Sequence, residues 1–252
     1  MCELLGFSGA KATDLREPLY EFFSHSRVHP HGWGMMFEDK GPQLIREPLR
    51  AADSDTLKAL LPELPPQLAA LAHIRYATVG AIRRENCHPF QAEDISGRSW
   101  TMIHNGTVYS GGETYRYYRR QQGDTDSERL FLALMDRLNE QLKRGPLTQR
   151  ERFALVDSFI TENAPRNKLN LLIYDGELLY AHKNLKNTLS CKRLNSGLLI
   201  STVPLDKEGW CPFPMAQVIA FKEGREVFRG ARHKGIFQPT LEYITALDAM
   251  NI

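Results

Sequence analysis

Apolar residues change their spacing along the chain, and the first change separates a strand from a helix. Residues 2–9 are mostly apolar and end in Ser-Gly, which favours a buried first strand. Apolar residues at helical spacing follow Asp14, so we expect Asp14 to cap a helix that ends near residue 26. The N-terminal segment is therefore predicted to be a core strand that leads directly into a helix.

The remaining pattern predicts helices in the middle of the chain and strands in its last third. Helices are expected at 55–61, 127–143 and 149–163. Strands are expected at 33–38, 43–46, 100–104, 169–174, 177–182, 198–203 and 218–228, the last of which should fold back at Glu223-Gly224. The first two strands should form a hairpin around Lys40-Gly41-Pro42, and 68–74 fits either a strand or a helix end. The prolines at 62, 65 and 66 should stop the helix at 55–61. This order favours a layered α+β fold in one domain spanning 1–252.

Composition narrows the class of protein. The chain has 252 residues, of which 42% are hydrophobic and 25% are charged, as in a globular protein with a sizeable core. A net charge of +2 gives no electrostatic argument for a nucleic-acid partner or an acidic membrane surface. The N-terminus lacks a signal-peptide pattern and no apolar run reaches membrane-spanning length, so a cytoplasmic protein is expected.

Cysteine usage points away from disulfides and metal sites. The four cysteines are widely spaced and include no Cys-x-x-Cys pair: Cys2, Cys87, Cys191 and Cys211. Cys2 stands apart because it directly follows the initiator Met1. If Met1 is removed, Cys2 carries a thiol beside a free α-amine of ordinary pKa about 7.7–8.0, a minimal pairing of nucleophile and base. The alternative is a cysteine that merely begins a buried strand.

Two polar groups lie in the region between residues 73 and 90, the first at the end of an apolar run and the second in a long loop. Arg75 lies at the end of such a run, where its rigid fork of donors could hold a carboxylate through two hydrogen bonds or form a surface ion pair. His88 lies in Asn-Cys-His-Pro-Phe, where the proline restricts the backbone next to the imidazole. That second segment is equally well explained as a loop anchored by Phe90.

Two further groups lie next to the predicted strand at 100–104 and the helix at 127–143. Asn105 offers a side-chain N–H and Gly106 an unobstructed backbone N–H, so together they could form an oxyanion hole, although Asn-Gly is also a common turn. Asp126 could pair with an ammonium group or, with Ser127, simply cap the helix. Considered jointly, these groups could bind an amino acid such as glutamine by its α-carboxylate and α-ammonium, while a nucleophile and an oxyanion hole act on its side-chain amide.

The ordered motifs resemble those of class II glutamine amidotransferases, which are N-terminal nucleophile hydrolases. The matching segments are Met-Cys-Glu-Leu-Leu-Gly at 1–6, His-Ile-Arg-Tyr-Ala-Thr at 73–78, Asn-Cys-His-Pro-Phe at 86–90, His-Asn-Gly at 104–106 and Thr-Asp-Ser-Glu at 125–128. Small stand-alone members share the opening sequence. Many of these members have aspartate where this chain has His31.

The resemblance implies a four-layer αββα sandwich of two antiparallel sheets, the N-terminal nucleophile hydrolase fold. It implies that Cys2 is the nucleophile and that Asn105 and Gly106 form the oxyanion hole. Its implied substrate contacts are listed together: Arg75 for the α-carboxylate, Thr78 and His88 for the pocket wall, and Asp126 for the α-ammonium.

The implied reaction is hydrolysis of the glutamine side-chain amide through a thioester, with no metal or other cofactor. Two alternatives stay open on sequence alone: a γ-glutamyl amidohydrolase acting on a peptide or conjugate, and a non-catalytic binding or regulatory module. The chain leaves no room for a synthase domain, so an ammonia acceptor is expected on a separate partner, unless ammonia is released.

Overall fold

The computed structural model describes residues 1–38, 41–109, 112–239 and 245. Within them, the α-helices are α1 (Arg16–Ser24), α2 (Asp55–Glu63), α3 (Asp126–Leu142) and α4 (Gln149–Asn163). The strands are β1 (Glu3–Thr13), β2 (Trp33–Glu38), β3 (Pro42–Glu47), β4 (Gln67–Ile74), β5 (Phe90–Glu93), β6 (Ser99–His104), β7 (Leu171–Tyr174), β8 (Leu179–His182), β9 (Ser190–Leu194), β10 (Gly197–Ser201), β11 (Trp210–Pro212), β12 (Ile219–Lys222) and β13 (Arg225–Arg229). No helix of the described residues is long and apolar enough to cross a membrane.

The strands form two antiparallel sheets. The first has the order β11-β9-β10-β1-β4-β2-β3, and the second has the order β13-β12-β8-β7-β6-β5. In the first sheet, β1 is central and pairs with β4 on one edge and with β10 on the other. The N-terminal strand is thus held on both sides by segments that are distant in the sequence.

Three apolar layers separate the helices and the two sheets. One layer packs α1 and α2 against the first sheet, and another packs α3 and α4 against the second. The third lies between the sheets and includes Leu4 and Leu172. Because side chains alternate along a strand, Leu4 points between the sheets whereas Leu5 and Phe7 point towards the helices. The structure confirms the expected α+β sandwich with helices on both outer faces.

Several local expectations required correction. Leu15, not Asp14, is the N-cap residue of α1, while the Asp14 carboxylate accepts hydrogen bonds from the Arg16 main chain and side chain. Pro62 lies inside the last turn of α2 and does not stop it. Residues 68–74 belong to a strand, whereas β5, β9 and β11 were not anticipated. Lys40, predicted in the first hairpin turn, lies outside the described residues.

Asp175 is the fully buried centre of a polar cluster in the turn between β7 and β8. Its carboxylate accepts hydrogen bonds from Arg152 Nε at 2.8 Å, Tyr180 Oη at 2.8 Å and Leu178 N at 2.7 Å. Arg152 also donates to Glu177, at 2.7 Å. This cluster ties α4 to the second sheet.

We expect Asp175→Ala to lower the free energy of unfolding by about 3 kcal/mol, because it removes a buried ion-pair partner and leaves several donors unsatisfied. Urea unfolding followed by circular dichroism would measure the loss. The control is Asp206→Ala, which breaks an exposed ion pair with Lys192 and should cost less than about 1 kcal/mol. Equal, small losses in both variants would contradict the assignment of Asp175 as a stabilising centre.

Candidate functional site

Cys2 lies at the start of β1, on the side that faces the second sheet. The pairing of Glu3 with Ile74 places Cys2 beside the segment that follows β4. Tyr76 N donates to Cys2 Sγ at 3.4 Å, and Sγ lies at the same distance from Tyr76 O. Burial raises the pKa of the Cys2 thiol, and the Tyr76 hydrogen bond and the charges of Lys168 and Arg75 oppose that rise only in part. The thiol therefore needs a base in order to become a nucleophile.

Arg75 directly follows β4 and is almost completely buried, with 3% of its surface exposed. Its Nη1 donates to Ala81 O at 3.0 Å, and its Nη2 donates to Val79 O at 3.0 Å and to Gly80 O at 3.2 Å. The guanidinium thus organises the loop at 79–81 and is not part of a surface ion pair. A carboxylate ligand would have to share or replace these carbonyl partners.

His31 is a positioning residue whose role the sequence did not indicate. Its Nδ1 accepts a hydrogen bond from Ala77 N at 2.9 Å, and its ring lies 4.9 Å from that of Tyr76. The main chain adds two further bonds, from His31 N to Arg75 O and from Arg75 N to Gly32 O. The loop that contains His31 therefore fixes the segment that lies against the Cys2 thiol.

The two predicted pocket-wall residues, His88 and Thr78, differ in their burial. His88 is buried, and its ring lies 4.3 Å from that of His73 and 4.5 Å from that of Phe90. Neither His88 ring nitrogen hydrogen-bonds to a described residue, and burial lowers the pKa of His88 well below its ordinary value. Thr78 is exposed. His88 is thus a neutral, buried imidazole with unused hydrogen-bonding capacity, whereas Thr78 is at the surface.

Neighbouring residues hold the main chain and the side-chain Oδ1 of Asn105, but not its side-chain Nδ2. Asn105 N donates to Asn170 O at 2.9 Å, and Asn170 Nδ2 donates to Asn105 O at 2.9 Å. Lys168 Nζ donates to Asn105 Oδ1 at 3.1 Å. Asn105 Nδ2 is buried and has no partner within the described residues. A buried donor without a partner costs free energy, so a ligand, a reacting group or a water molecule that accepts a hydrogen bond from Asn105 Nδ2 would be stabilised there.

Gly106 packs too closely for any side chain. A Cβ at this position would clash with Lys168 O and His104 Nε2. The Gly106 N–H makes no hydrogen bond to another described residue. Both donors of the predicted oxyanion hole are therefore present and uncommitted.

Lys168 was not identified from the sequence, although it is buried at the centre of these contacts. Only 2% of its surface is exposed, and burial lowers the pKa of its ammonium to about 8. Its Nζ lies 2.9 Å from Met1 Sδ as well as next to Asn105. A signal was available: Lys168 and Asn170 alternate with leucines before β7, which marks a polar stretch on an otherwise apolar face.

Asp126 begins α3 but does not cap it, because Thr125 is the N-cap and accepts a hydrogen bond from Glu128 N. Asp126 is buried, and its carboxylate accepts from Val108 N at 2.6 Å and from Ser127 N at 2.9 Å. The alternative reading of Asp126 or Ser127 as a simple cap is therefore wrong. A buried carboxylate held by two N–H groups has further lone pairs that could accept from an ammonium.

A second polar chain links α3 to the Asn105 segment. His104 Nε2 lies 3.0 Å from Lys168 O, and its Nδ1 lies 2.9 Å from Ser127 Oγ. A carbonyl only accepts, so Nε2 carries the proton and Nδ1 accepts from the Ser127 hydroxyl. Burial lowers the pKa of His104, which keeps this ring neutral. The start of α3 and the Gly106 backbone are thereby joined through one buried imidazole.

Cavity size and metal-ligand clustering do not identify this site. A cavity of about 940 Å³ lies between α1 and β9–β10, lined in part by Arg16, Pro62 and Lys192, and contains none of the predicted site residues. Among residues 1–38, 41–109 and 112–239, no group of three or more histidine, cysteine or acidic side chains is arranged to hold a metal ion. The candidate site therefore rests on its buried polar contacts.

Comparison with known sequences places the chain in one family. Residues 1–196 match the family model of the class II glutamine amidotransferases. YafJ of Escherichia coli K12, provisionally named a glutamine amidotransferase, is 34% identical over 188 residues, which are 72% of each chain. The glutamine–fructose-6-phosphate aminotransferase of Geobacillus kaustophilus is 28% identical over 193 residues, which cover 73% of this chain but only 29% of that much longer enzyme.

Solved structures share the fold. A predicted glutamine amidotransferase from Pseudomonas aeruginosa has a TM-score of 0.66 at 24% identity, covering 90% of this chain and 100% of that one. The glutamine phosphoribosylpyrophosphate amidotransferase of Bacillus subtilis has a TM-score of 0.65 at 15% identity, covering 93% of this chain and 50% of that one. Since the family model spans residues 1–196 and a relative matches at 34% identity, the chain belongs to the class II glutamine amidotransferases.

Proposed function

We propose that this protein hydrolyses the side-chain amide of glutamine through a γ-glutamyl thioester on Cys2. The observation that carries the proposal is the buried Asn105 Nδ2, a donor without a partner among the described residues, next to the uncommitted Gly106 N–H. Two such donors are what an oxyanion requires, and loss of one typically raises the barrier by about 3–4 kcal/mol.

The mechanism begins with a proton transfer, because burial disfavours the Cys2 thiolate. After removal of Met1, the α-amine of Cys2 accepts the thiol proton through a water molecule. Sulfur attacks the amide carbon, and Asn105 and Gly106 donate to the resulting oxyanion. The protonated amine then gives its proton to the departing ammonia. Water hydrolyses the thioester, which releases glutamate and restores the thiol.

The proposed substrate contacts use two buried charged side chains, Arg75 and Asp126. Arg75 would hold the α-carboxylate by exchanging some of its bonds to the 79–81 carbonyls. Asp126 would accept from the α-ammonium, while His88 and Thr78 would line the pocket. Ammonia would then pass to an acceptor enzyme on a separate partner or be released.

Cys2→Ala is expected to lower glutaminase turnover by at least about 10⁴-fold, because it removes the nucleophile. Alanine is small, so Met1 removal and the α-amine are preserved and only the thiol is lost. Ammonia release from glutamine would be measured in a coupled assay. Cys211→Ala, which changes an exposed cysteine, is the matched control and should retain wild-type turnover. Near-normal activity of the Cys2 variant would reject the nucleophile.

The same assay tests the substrate class. Glutamine and a series of γ-glutamyl peptides present the same glutamyl group with different leaving groups. The proposal requires glutamine to be turned over with the higher kcat/KM. A clear preference for a γ-glutamyl peptide would instead assign the chain as a γ-glutamyl amidohydrolase.

Activity is expected to depend on a free α-amine at Cys2. A variant with a protease site ending directly before Cys2 should be at least about 100-fold less active before cleavage than after it, because general-base catalysis is lost while the amine is in a peptide bond. Mass spectrometry would verify both N-termini. Equal activity before and after cleavage would show that another group accepts the thiol proton.

Asp126→Asn is expected to raise KM for glutamine about 100-fold, since a buried charge partner of the ammonium is worth about 3 kcal/mol, with a change in kcat of less than about tenfold. Steady-state kinetics would separate the two constants. Asp136→Asn, on the same helix but paired with Arg120 outside the site, is the control and should leave KM unchanged. An unaltered KM in the Asp126 variant would remove this residue from the substrate pocket.

A further inference from the structure

We propose that Lys168 is a positioning residue that fixes the orientation of the Asn105 side-chain amide, so that its Nδ2 can donate to the oxyanion formed when Cys2 attacks. The proposal rests on the proposed hydrolysis of glutamine. That mechanism assigns no role to Lys168, and the present proposal adds one.

The contact between Lys168 and Asn105 settles which way the amide points. A lysine ammonium can donate hydrogen bonds but cannot accept them, so the Asn105 atom 3.1 Å from Lys168 Nζ must be Oδ1. Nδ2 then occupies the other branch of the amide, where it is buried and has no described partner. Rotation of the amide by 180° would place two N–H groups against a cation and remove the donor from the hole.

Lys168 also places the second donor through its main chain. Thr107 N donates to Lys168 O, and Lys168 N donates to Thr107 O, both at 3.1 Å. The same carbonyl accepts from His104 Nε2 and lies where a Cβ on Gly106 would be. Lys168 therefore holds both donors of the predicted oxyanion hole. Its side chain orients the Asn105 amide, and its main chain fixes the segment that contains Gly106.

Burial makes this arrangement rigid and keeps a positive charge near the sulfur. Lys168 is 2% exposed, and its ammonium can be solvated only by the partners that hold it. Burial lowers the pKa of Lys168 to about 8, and negative charge at Cys2 would oppose that change. The ammonium is thus mostly protonated at neutral pH, where it donates to Asn105 Oδ1.

A double-mutant cycle tests the coupling. Lys168→Met keeps a long unbranched side chain but removes the donor, and it should lower kcat about 100-fold with KM changed less than about threefold. In an Asn105→Ala background, the same change should lower kcat by no more than about threefold further, because the amide to be oriented is absent. Additive losses, or a loss confined to KM, would overturn the proposal.

Lys168→Arg provides a conservative variant, since it keeps a buried cation with donors, and it should lose less kcat than Lys168→Met. If Lys168→Met does not fold, the double-mutant cycle is carried out with Lys168→Arg, whose effect on kcat is measured in the wild-type and in the Asn105→Ala background. A loss of kcat as large as that of the methionine variant would contradict a role in donating to Asn105.

An activity-independent measurement separates failure of this proposal from failure of the proposed function. The Asn105 Nδ2 protons, identified in NMR spectra by their absence in Asn105→Ala, should be shifted or broadened in Lys168→Met. Unchanged signals would reject the positioning role, even if the wild-type protein hydrolyses glutamine. Wild-type protein without glutaminase activity, but with the expected change in these signals, would reject only the proposed function.

Discussion

The pairing register between β1 and β4 is the constraint on which the site depends. Glu3 lies opposite Ile74, so Cys2 lies against the Arg75-Tyr76 segment and faces the second sheet. A slip of one residue would turn the thiol towards α1 and α2, because strand side chains alternate between faces. The register is secured from both edges, since β10 pairs Leu5 with Ser201 and the apolar layers on the two faces require different residues.

The burial that stabilises β1 also disfavours the charged thiolate form of Cys2. Three cations, the N-terminal ammonium, Lys168 and Arg75, favour a thiolate at Cys2, yet the loss of water outweighs them and raises the pKa of the thiol. Burial thus favours the neutral thiol at this position. Negative charge then forms at the sulfur and at the substrate oxygen only when a base accepts the thiol proton and the oxyanion-hole donors are in place. The buried, uncommitted donors of Asn105 and Gly106 are consistent with this order.

The sequence allowed the layered α+β class and the residues with polar chemistry at strand ends to be predicted, and the family assignment is confirmed. Asn105-Gly106 could be singled out because an amide followed by glycine at the end of a strand is a local pattern. Lys168 and His31 were not assigned a role, because each acts on a segment far away in the sequence: Lys168 on Asn105, and His31 on Ala77. Pro62 shows a local signal that locates a helix end only approximately, because Pro62 lies inside the last turn of α2, which ends at Glu63.

The central position of β1 has a consequence for the order of events during synthesis. Its first edge can pair as soon as β4 has been made, but Leu4 N donates to Thr202 Oγ1, a partner 198 residues later in the chain. At about 5–20 residues per second, those residues emerge about 10–40 s after the N-terminus. Once the sheet is complete, Met1 is partly buried, with its sulfur against Lys168. An aminopeptidase therefore meets a more accessible Met1 before the sheet is complete than afterwards.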